Sequence, residues 1–259
     1  MIKVLAIIGS PRKGNSYQLT QMIEERLKNH KEIEFEYLFL KDLDLDNCTG
    51  CQSCIVNGKE SCPLDDDRDI IEQKIHDADG VIFVSPVYNF HITALMKNFV
   101  DHFTYAVHRP RFFDKKAMVF VQRGKMFKKA LKYMEKVVHA WGFDVVSTLG
   151  IPDVDPLTEK YKKKSIKELE KATDRFYEGL KKNELPSPTV YDLVWFNVWK
   201  MNAEVNKEVI PADYVYWKNK GWFDMDYYYK VRINPLKKGI AYISTVFAKK
   251  FMKKVFKDY

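Results

Sequence analysis

Short, continuously apolar runs alternate with longer segments in which apolar positions recur every three to four residues, over the first 150 residues of the chain. The runs at 3–8, 34–38, 80–85, 116–121 and 145–149 are rich in β-branched and aromatic residues and predict strands. The segments at 16–29, 67–78, 92–106 and 127–141 carry the helical period. Alternation of this kind predicts βαβ units on a parallel sheet. Val4-Leu5-Ala6-Ile7-Ile8 and Val81-Ile82-Phe83-Val84 have no polar position on either side. A sheet covered by helices on both faces requires that, and a half-exposed antiparallel sheet does not. Five such strands predict a three-layer α/β/α domain.

The pattern changes further on. Ile151-Pro152-Asp153-Val154-Asp155-Pro156 closes the sheet region, a charged helix is predicted over 158–182, and Leu185-Pro186-Ser187-Pro188 breaks the chain again. The expected division is a sheet domain at 1–183 and a mostly helical extension at 184–259. Aromatic residues crowd this extension, where Trp195, Trp199, Trp217 and Trp222 all lie. Its last segment places Ile240, Ile243, Phe247, Phe251 and Val255 on one helical face, with Lys249, Lys250, Lys253 and Lys257 largely off it. A basic amphipathic helix can lie on an anionic membrane surface. The same pattern serves packing on the body of the protein or on a second subunit, which is the expectation here.

Composition narrows the classes. At 259 residues and 46% apolar, the chain can build one full α/β core plus an extension. The net charge of +8 is mild, and most of it falls after position 186, where 13 Lys/Arg meet 7 Asp/Glu. No helix-turn-helix, zinc-finger or RNP pattern accompanies it, so nucleic acid is not an expected partner. No apolar stretch reaches the ~20 residues of a spanning helix. The apolar amino terminus runs straight into a glycine turn without a small-residue cleavage site, and reads as a strand rather than a signal peptide. All four cysteines fall between Cys48 and Cys62, which suggests metal or redox chemistry and a cytoplasmic protein.

The first strand ends in Gly9-Ser10-Pro11-Arg12-Lys13-Gly14-Asn15-Ser16, and a helix follows at once. Glycines for tight turns, two hydroxyls, a guanidinium and the N–H groups of a helix start together make an anion site. The spacing is that of a Walker A loop with Asn15 in place of the lysine that serves β/γ-phosphates. A single terminal phosphate therefore suits it better than a nucleoside triphosphate. The dinucleotide fingerprint G-x-G-x-x-G is missing as well. An ordinary strand-to-helix turn with a Ser/Asn cap would look similar on its own.

A second segment strengthens the first. Ser85-Pro86-Val87-Tyr88-Asn89-Phe90-His91 ends the third strand, and in a sheet of order 2-1-3-4-5 strands one and three flank the ligand crevice. Flat apolar and aromatic groups there suit a ring system. With Lys97 and Asp101, these motifs resemble the NAD(P)H-dependent FMN reductase branch of the flavodoxin-like superfamily over roughly the first 150 residues. The resemblance implies that Ser10, Arg12, Asn15 and Ser16 hold the FMN phosphate. It also implies that Pro86, Val87, Tyr88, Asn89 and Phe90 line the isoalloxazine. The family's third flavin loop falls at Gln122-Arg123-Gly124, where Gly124 alone fits the usual small-residue pattern.

Cys48-x-x-Cys51-x-x-Cys54-x₇-Cys62-Pro63 follows the second strand. Two C-x-x-C steps and a fourth Cys before Pro suit a [4Fe-4S] cluster, and the spacing is similar to that of the iron–sulfur flavoproteins, a sub-branch of the same superfamily. Zinc and thiols without metal are the alternatives. His30, His76, His91, His102, His108 and His139 form no metal-spaced pair, and no Ser/His/Asp constellation is visible. Asp65-Asp66-Asp67 reads as a helix start, and Lys97 with Asp101 as an i, i+4 pair. The expected activity is hydride transfer from NADH or NADPH to FMN, then reduction of a quinone, another flavin or an iron–sulfur partner. A non-enzymatic electron carrier and a flavin-binding interaction protein are the rivals. No side chain is assigned as a catalytic acid or base, since the flavin carries the electrons. The resemblance further implies a homo-oligomer.

Overall fold

The computed structural model describes residues 1–30, 32–122, 127–152, 158–182 and 184–255. Its strands are β1 (Ile2–Ile8), β2 (Ile33–Phe39), β3 (Gly80–Pro86), β4 (Lys116–Gln122) and β5 (Asp144–Ile151). In chain order its helices are α1 (Asn15–His30), α2 (Ser53–Val56), α3 (Arg68–Asp77), α4 (Ala94–His102), α5 (Tyr105–His108), α6 (Phe127–Ala140), α7 (Glu159–Leu180), α8 (Val190–Val205), α9 (Pro211–Asn219) and α10 (Pro235–Val255). The chain divides into two compact units, one of Met1–Gly50 with Leu64–Glu184 and one of Cys51–Pro63 with Leu185–Tyr259.

In the first unit the five strands pair in parallel in the order β2-β1-β3-β4-β5, the flavodoxin-like arrangement. Alternation along each strand separates two apolar layers. Val4, Ala6, Ile8, Ile82, Val84, Met118 and Phe120 pack under Leu19, Ile23 and Leu27 of α1 and under Leu169, Ala172 and Phe176 of α7. Phe83 belongs to a different cluster, with Phe99, Phe103, Phe112, Trp141 and Phe143 in stacked, edge and tilted ring contacts. Both faces of β3 and β4 are thus buried, which explains their unbroken apolar sequence.

The single helix expected over 92–106 is two. Thr93 is an N-cap, its hydroxyl accepting from the Met96 N–H, so the helix starts at Ala94. At its other end Phe103 and Thr104 bond three residues back, to Val100 and Asp101, which tightens the last turn and separates α4 from α5. Residues 153–157, which include the expected break at Asp153 to Pro156, lie outside the described residues.

The second unit packs around aromatic side chains. Phe196, Trp217, Trp222 and Tyr228 meet in edge and tilted contacts, and the Trp222 indole N–H donates to the Tyr228 carbonyl at 2.9 Å. Helix α8 opens with a capping box between Thr189 and Asp192. The short α2, between Cys51 and Cys62, packs on α9. Helix α10 packs on α8, with Ala241 buried and Asn197 donating to Thr245. The apolar face of α10, expected to pack on the body of the protein or on a second subunit, does not pack on the body at its described residues. Ile240, Ile243 and Phe247 are 54%, 57% and 67% exposed, because the smaller residues Ala241 and Thr245 make the contact instead. No helix among the described residues is long and apolar enough to cross a membrane.

Candidate functional site

Parallel pairing puts the carboxyl ends of β1 and β3 side by side, with Ile8 opposite Val84. The loop after β1 and the turn after β3 therefore share one edge of the sheet. Gly9 continues the ladder, its N–H donating to the Val84 carbonyl at 2.8 Å. Its own carbonyl accepts from the Thr93 hydroxyl at 2.6 Å, and Thr93 N–H in turn donates to Ser85 Oγ at 3.2 Å. One buried threonine thus ties both loops to the start of α4. Gly9 is needed for this approach, since a Cβ there would lie 2.7 Å from Cβ of Met96.

Beyond Gly9 the chain turns tightly. Ser10 is buried and its hydroxyl donates to the Arg12 carbonyl at 2.7 Å, while Gly14 N–H donates to the same carbonyl at 2.9 Å. The Arg12 and Asn15 side chains are exposed at the mouth of this turn. Helix α1 begins at Asn15 with no acidic residue in its first turn, so its unpaired N–H groups and positive dipole end are not opposed by a local carboxylate. Ser16 faces inward, its hydroxyl donating to Gln122 Oε1 at 2.9 Å across 106 residues of sequence. The end of β4 is thereby joined to the phosphate loop. It is also joined to the β3 turn, because Val87 N–H donates to the Gln122 carbonyl at 2.8 Å.

The β3 turn is a two-residue hairpin. Tyr88 and His91 exchange backbone bonds of 2.9 and 3.1 Å around Asn89 and Phe90, whose φ values are +46° and +69°. Positive φ at both central positions is the pattern of a type I′ turn, where glycine is the usual second residue. Phe90 holds that conformation at a steric cost of about 1–2 kcal/mol, and its ring is 61% exposed. Pro86 is buried, Val87 and Tyr88 are half-buried, and Asn89 is exposed. An outward-facing aromatic at the sheet's ligand edge offers a flat apolar surface, and strained turns of this kind cluster at ligand sites.

Next to the turn, the His91 ring lies 4.7 Å from that of Tyr133 on α6. Lys97 pairs with Asp101 at 2.5 Å, the expected i, i+4 pair. Burial is the largest single influence and pulls the Lys97 ammonium down, but the bond and the charge of Asp101 together, aided by Tyr133 and Cys48, raise its pKa. Burial pushes the Tyr133 hydroxyl up, with Lys97 opposing.

The loop geometry fits a phosphate and a ring of the FMN kind. The N–H groups of two helix-start residues and a guanidinium lie at one end, and a turn of apolar and aromatic groups at the other. Sequence reasoning missed Thr93, which could have been found as the cap residue three before Met96, and it placed Gln122 in the third flavin loop without its bond to Ser16. Gly124 lies outside the described residues.

The cysteines divide between the units. Cys48, in the first, donates its N–H to Asn98 Oδ1 at 3.0 Å, and its Sγ lies 3.9 Å from the Asp101 carbonyl. Cys51, Cys54 and Cys62 belong to the second unit, Cys54 within α2 and Cys51 and Cys62 on either side of it, with Cys51 Sγ 3.4 Å from Ser53 Oγ. Four thiols are a soft donor set suited to iron. Among the described residues, however, no three His, Cys, Asp or Glu are gathered so as to hold a metal, and the thiols as arranged do not fit a cluster. His102, expected at no site, is buried against Asp66 at 2.8 Å, and its Nδ1 donates to the Asn98 carbonyl.

Comparison with known proteins agrees with this geometry. Residues 2–164 match the family described as NADPH-dependent FMN reductase. An iron-sulfur flavoprotein of Archaeoglobus fulgidus is 29% identical over 228 residues, covering 85% of this chain and 100% of the relative. An iron-sulfur flavoprotein of Methanocaldococcus jannaschii is 42% identical over 103 residues, covering 39% of this chain and 51% of the relative. Among solved structures, an azoreductase of Bacillus anthracis superposes with a TM-score of 0.55 at 20% identity, over 69% of this chain and 100% of that one, which supports the fold. With a family match over more than half its length, the chain belongs to the NADPH-dependent FMN reductases and is an NAD(P)H-dependent flavin oxidoreductase.

Proposed function

We propose that this protein carries two electrons at a time from NADH or NADPH to a small-molecule or redox-protein acceptor, such as a quinone, a second flavin or an iron–sulfur centre. The observation that carries the proposal is the joining of the phosphate loop, the Phe90 turn and the end of β4 through Thr93, Ser16 and Gln122. Bound FMN supplies the ring that takes a hydride and passes electrons on. The chain's own groups bind and orient. Arg12 and the backbone N–H groups of Asn15 and Ser16 neutralise the phosphate at the helix start, with Ser10 completing the loop. Pro86, Val87, Tyr88, Asn89 and Phe90 would line the ring, and the family resemblance adds Gly124 as a further flavin contact.

The four cysteines Cys48, Cys51, Cys54 and Cys62 are proposed as ligands of one [4Fe-4S] cluster on donor chemistry alone, and metal binding would have to gather them first. Cytoplasmic location fits the clustered thiols, and a homo-oligomer is proposed from the family.

Mixing FMN-loaded protein with NADPH in the absence of oxygen tests the reading. Loss of the flavin's visible absorbance within seconds supports the enzyme. A flavin that stays yellow with both NADH and NADPH, but is reduced by dithionite, identifies a carrier instead.

A further inference from the structure

Helix α10 packs on α8 through a face of small residues and leaves an apolar stripe exposed on another. Ala241 is buried against α8, with Ser244 and Thr245 beside it partly covered. Leu236, Ile240, Ile243 and Phe247 follow at i, i+4, i+7 and i+11, which aligns them on one stripe about 17 Å long. Their exposures run from 54% to 77%. Exposed apolar residues scattered singly need no explanation, but four in register on one helix do.

The charge of the helix indicates what covers the stripe. From Pro235 to Val255 the sequence holds Lys237, Lys238, Lys249, Lys250, Lys253 and Lys254 and no Asp or Glu. Lys238 pairs with Asp226, but a second copy of this helix would still bring its remaining positive charge against the same charge here. The stripe also fails as a coiled-coil seam, because the next two heptad positions, 250 and 254, are both lysine. An anionic lipid surface meets both requirements, taking the apolar stripe into its headgroup boundary and the lysines against its phosphates.

Aromatic residues on α8 lie at the same level. Lys237 bonds to the Pro188 carbonyl and Asn197 to Thr245, so α8 and α10 run in the same direction. That register sets Tyr191 and Trp195, 57% and 44% exposed, level with Ile240 and Ile243 along the axis. Exposed Tyr and Trp are the side chains favoured at the membrane–water boundary.

We propose that α10 docks the protein on an anionic bilayer surface through Leu236, Ile240, Ile243 and Phe247, with its lysines supplying the attraction. The contact is peripheral, since no described helix is long and apolar enough to span. It is independent of the cysteines and of the electron acceptor.

Co-sedimentation of the full-length, FMN-loaded protein with vesicles tests it. Vesicles of phosphatidylcholine mixed with phosphatidylglycerol should carry the protein down at low salt, and pure phosphatidylcholine vesicles should not. Raising the salt should release it, as expected for surface charges. Ile243→Ser with Phe247→Ser removes two apolar anchors from exposed positions and should weaken binding more than about tenfold. Lys249→Glu with Lys250→Glu should do the same through charge. Both variants should keep the flavin spectrum and solution mass of the parent. The proposal is overturned if the parent ignores anionic vesicles at low salt or binds neutral ones equally well. It is equally overturned if the Ile243/Phe247 variant halves the solution mass while vesicle binding is unchanged, which would assign the stripe to a second copy of the chain.

Discussion

Thr93→Val removes one hydroxyl and keeps the shape of the side chain, so it isolates the link between the two flavin loops. Thr93 is 2% exposed, and its hydroxyl donates to the Gly9 carbonyl at 2.6 Å while accepting from Met96 N–H at 3.2 Å. Loss of the cap costs about 1 kcal/mol. A buried carbonyl left without its donor costs about 1–3 kcal/mol more. The sum is about 2–4 kcal/mol, and the central value corresponds to a fall in Tm of about 6–12 °C for a body of this size. The backbone bond from Thr93 N–H to Ser85 survives the change. The lost energy therefore falls on the Gly9 side, where the phosphate loop begins. FMN affinity should drop about tenfold, equivalent to about 1.4 kcal/mol. Thr93→Ser keeps the hydroxyl and should stay within about 1 kcal/mol of the parent. Urea denaturation followed by circular dichroism gives the stability, and quenching of FMN fluorescence gives the affinity. A Val variant within about 0.5 kcal/mol of the parent, with unchanged FMN binding, would refute the reasoning.

Phe90→Gly relieves a φ of +69° and should stabilise the unliganded protein by up to about 1 kcal/mol, after the extra freedom of glycine in the unfolded chain is discounted. FMN should nevertheless bind more weakly, and a lower Tm of the unliganded variant would show that the ring packs rather than strains. Anaerobically purified protein should contain about four iron atoms per chain with matching acid-labile sulfide if the cysteines ligate a cluster. Less than about 0.2 iron after reconstitution would remove the cluster from the proposal. Asp174 accepts two bonds of 2.7 Å from Arg26, and these, opposed by burial and aided by His30, hold its pKa below the usual carboxylate value. Its folded pKa lies below the unfolded one, so the stabilisation is present above about pH 4 and lost as pH falls through the folded value. At 40% exposure solvent limits it to less than about 1 kcal/mol. The Tm difference between the parent and Asp174→Asn should therefore shrink on acidification, and one that grows would contradict the assignment.

The run of apolar residues within each strand and the helical period between strands were enough to determine the five-stranded parallel sheet and to place its helices within a few residues. Both are local signals. A strand with no polar position has to be covered on both faces, and one chain can do that only by alternating strands with helices. The two loop motifs were legible for the same reason, because each follows the end of a strand and the sheet order makes those ends neighbours. What joins the loops was not legible. Thr93 reads as part of a helix until its hydroxyl is seen on Gly9, and Gln122 reads as the first residue of a loop until Ser16 reaches it from 106 residues away. Such bonds depend on which elements the fold brings together, and no periodicity records that. The tail shows the limit most plainly. Its period announced an amphipathic α10, but a period measures how sharply a helix divides, not which side is buried. Tertiary packing chose Ala241 and Thr245, whose small side chains let α10 approach α8, and left Ile240, Ile243 and Phe247 facing out. Packing likewise grouped Cys51–Pro63 with the carboxyl-terminal unit through contact between α2 and α9, an association between segments about 160 residues apart that a linear reading cannot contain.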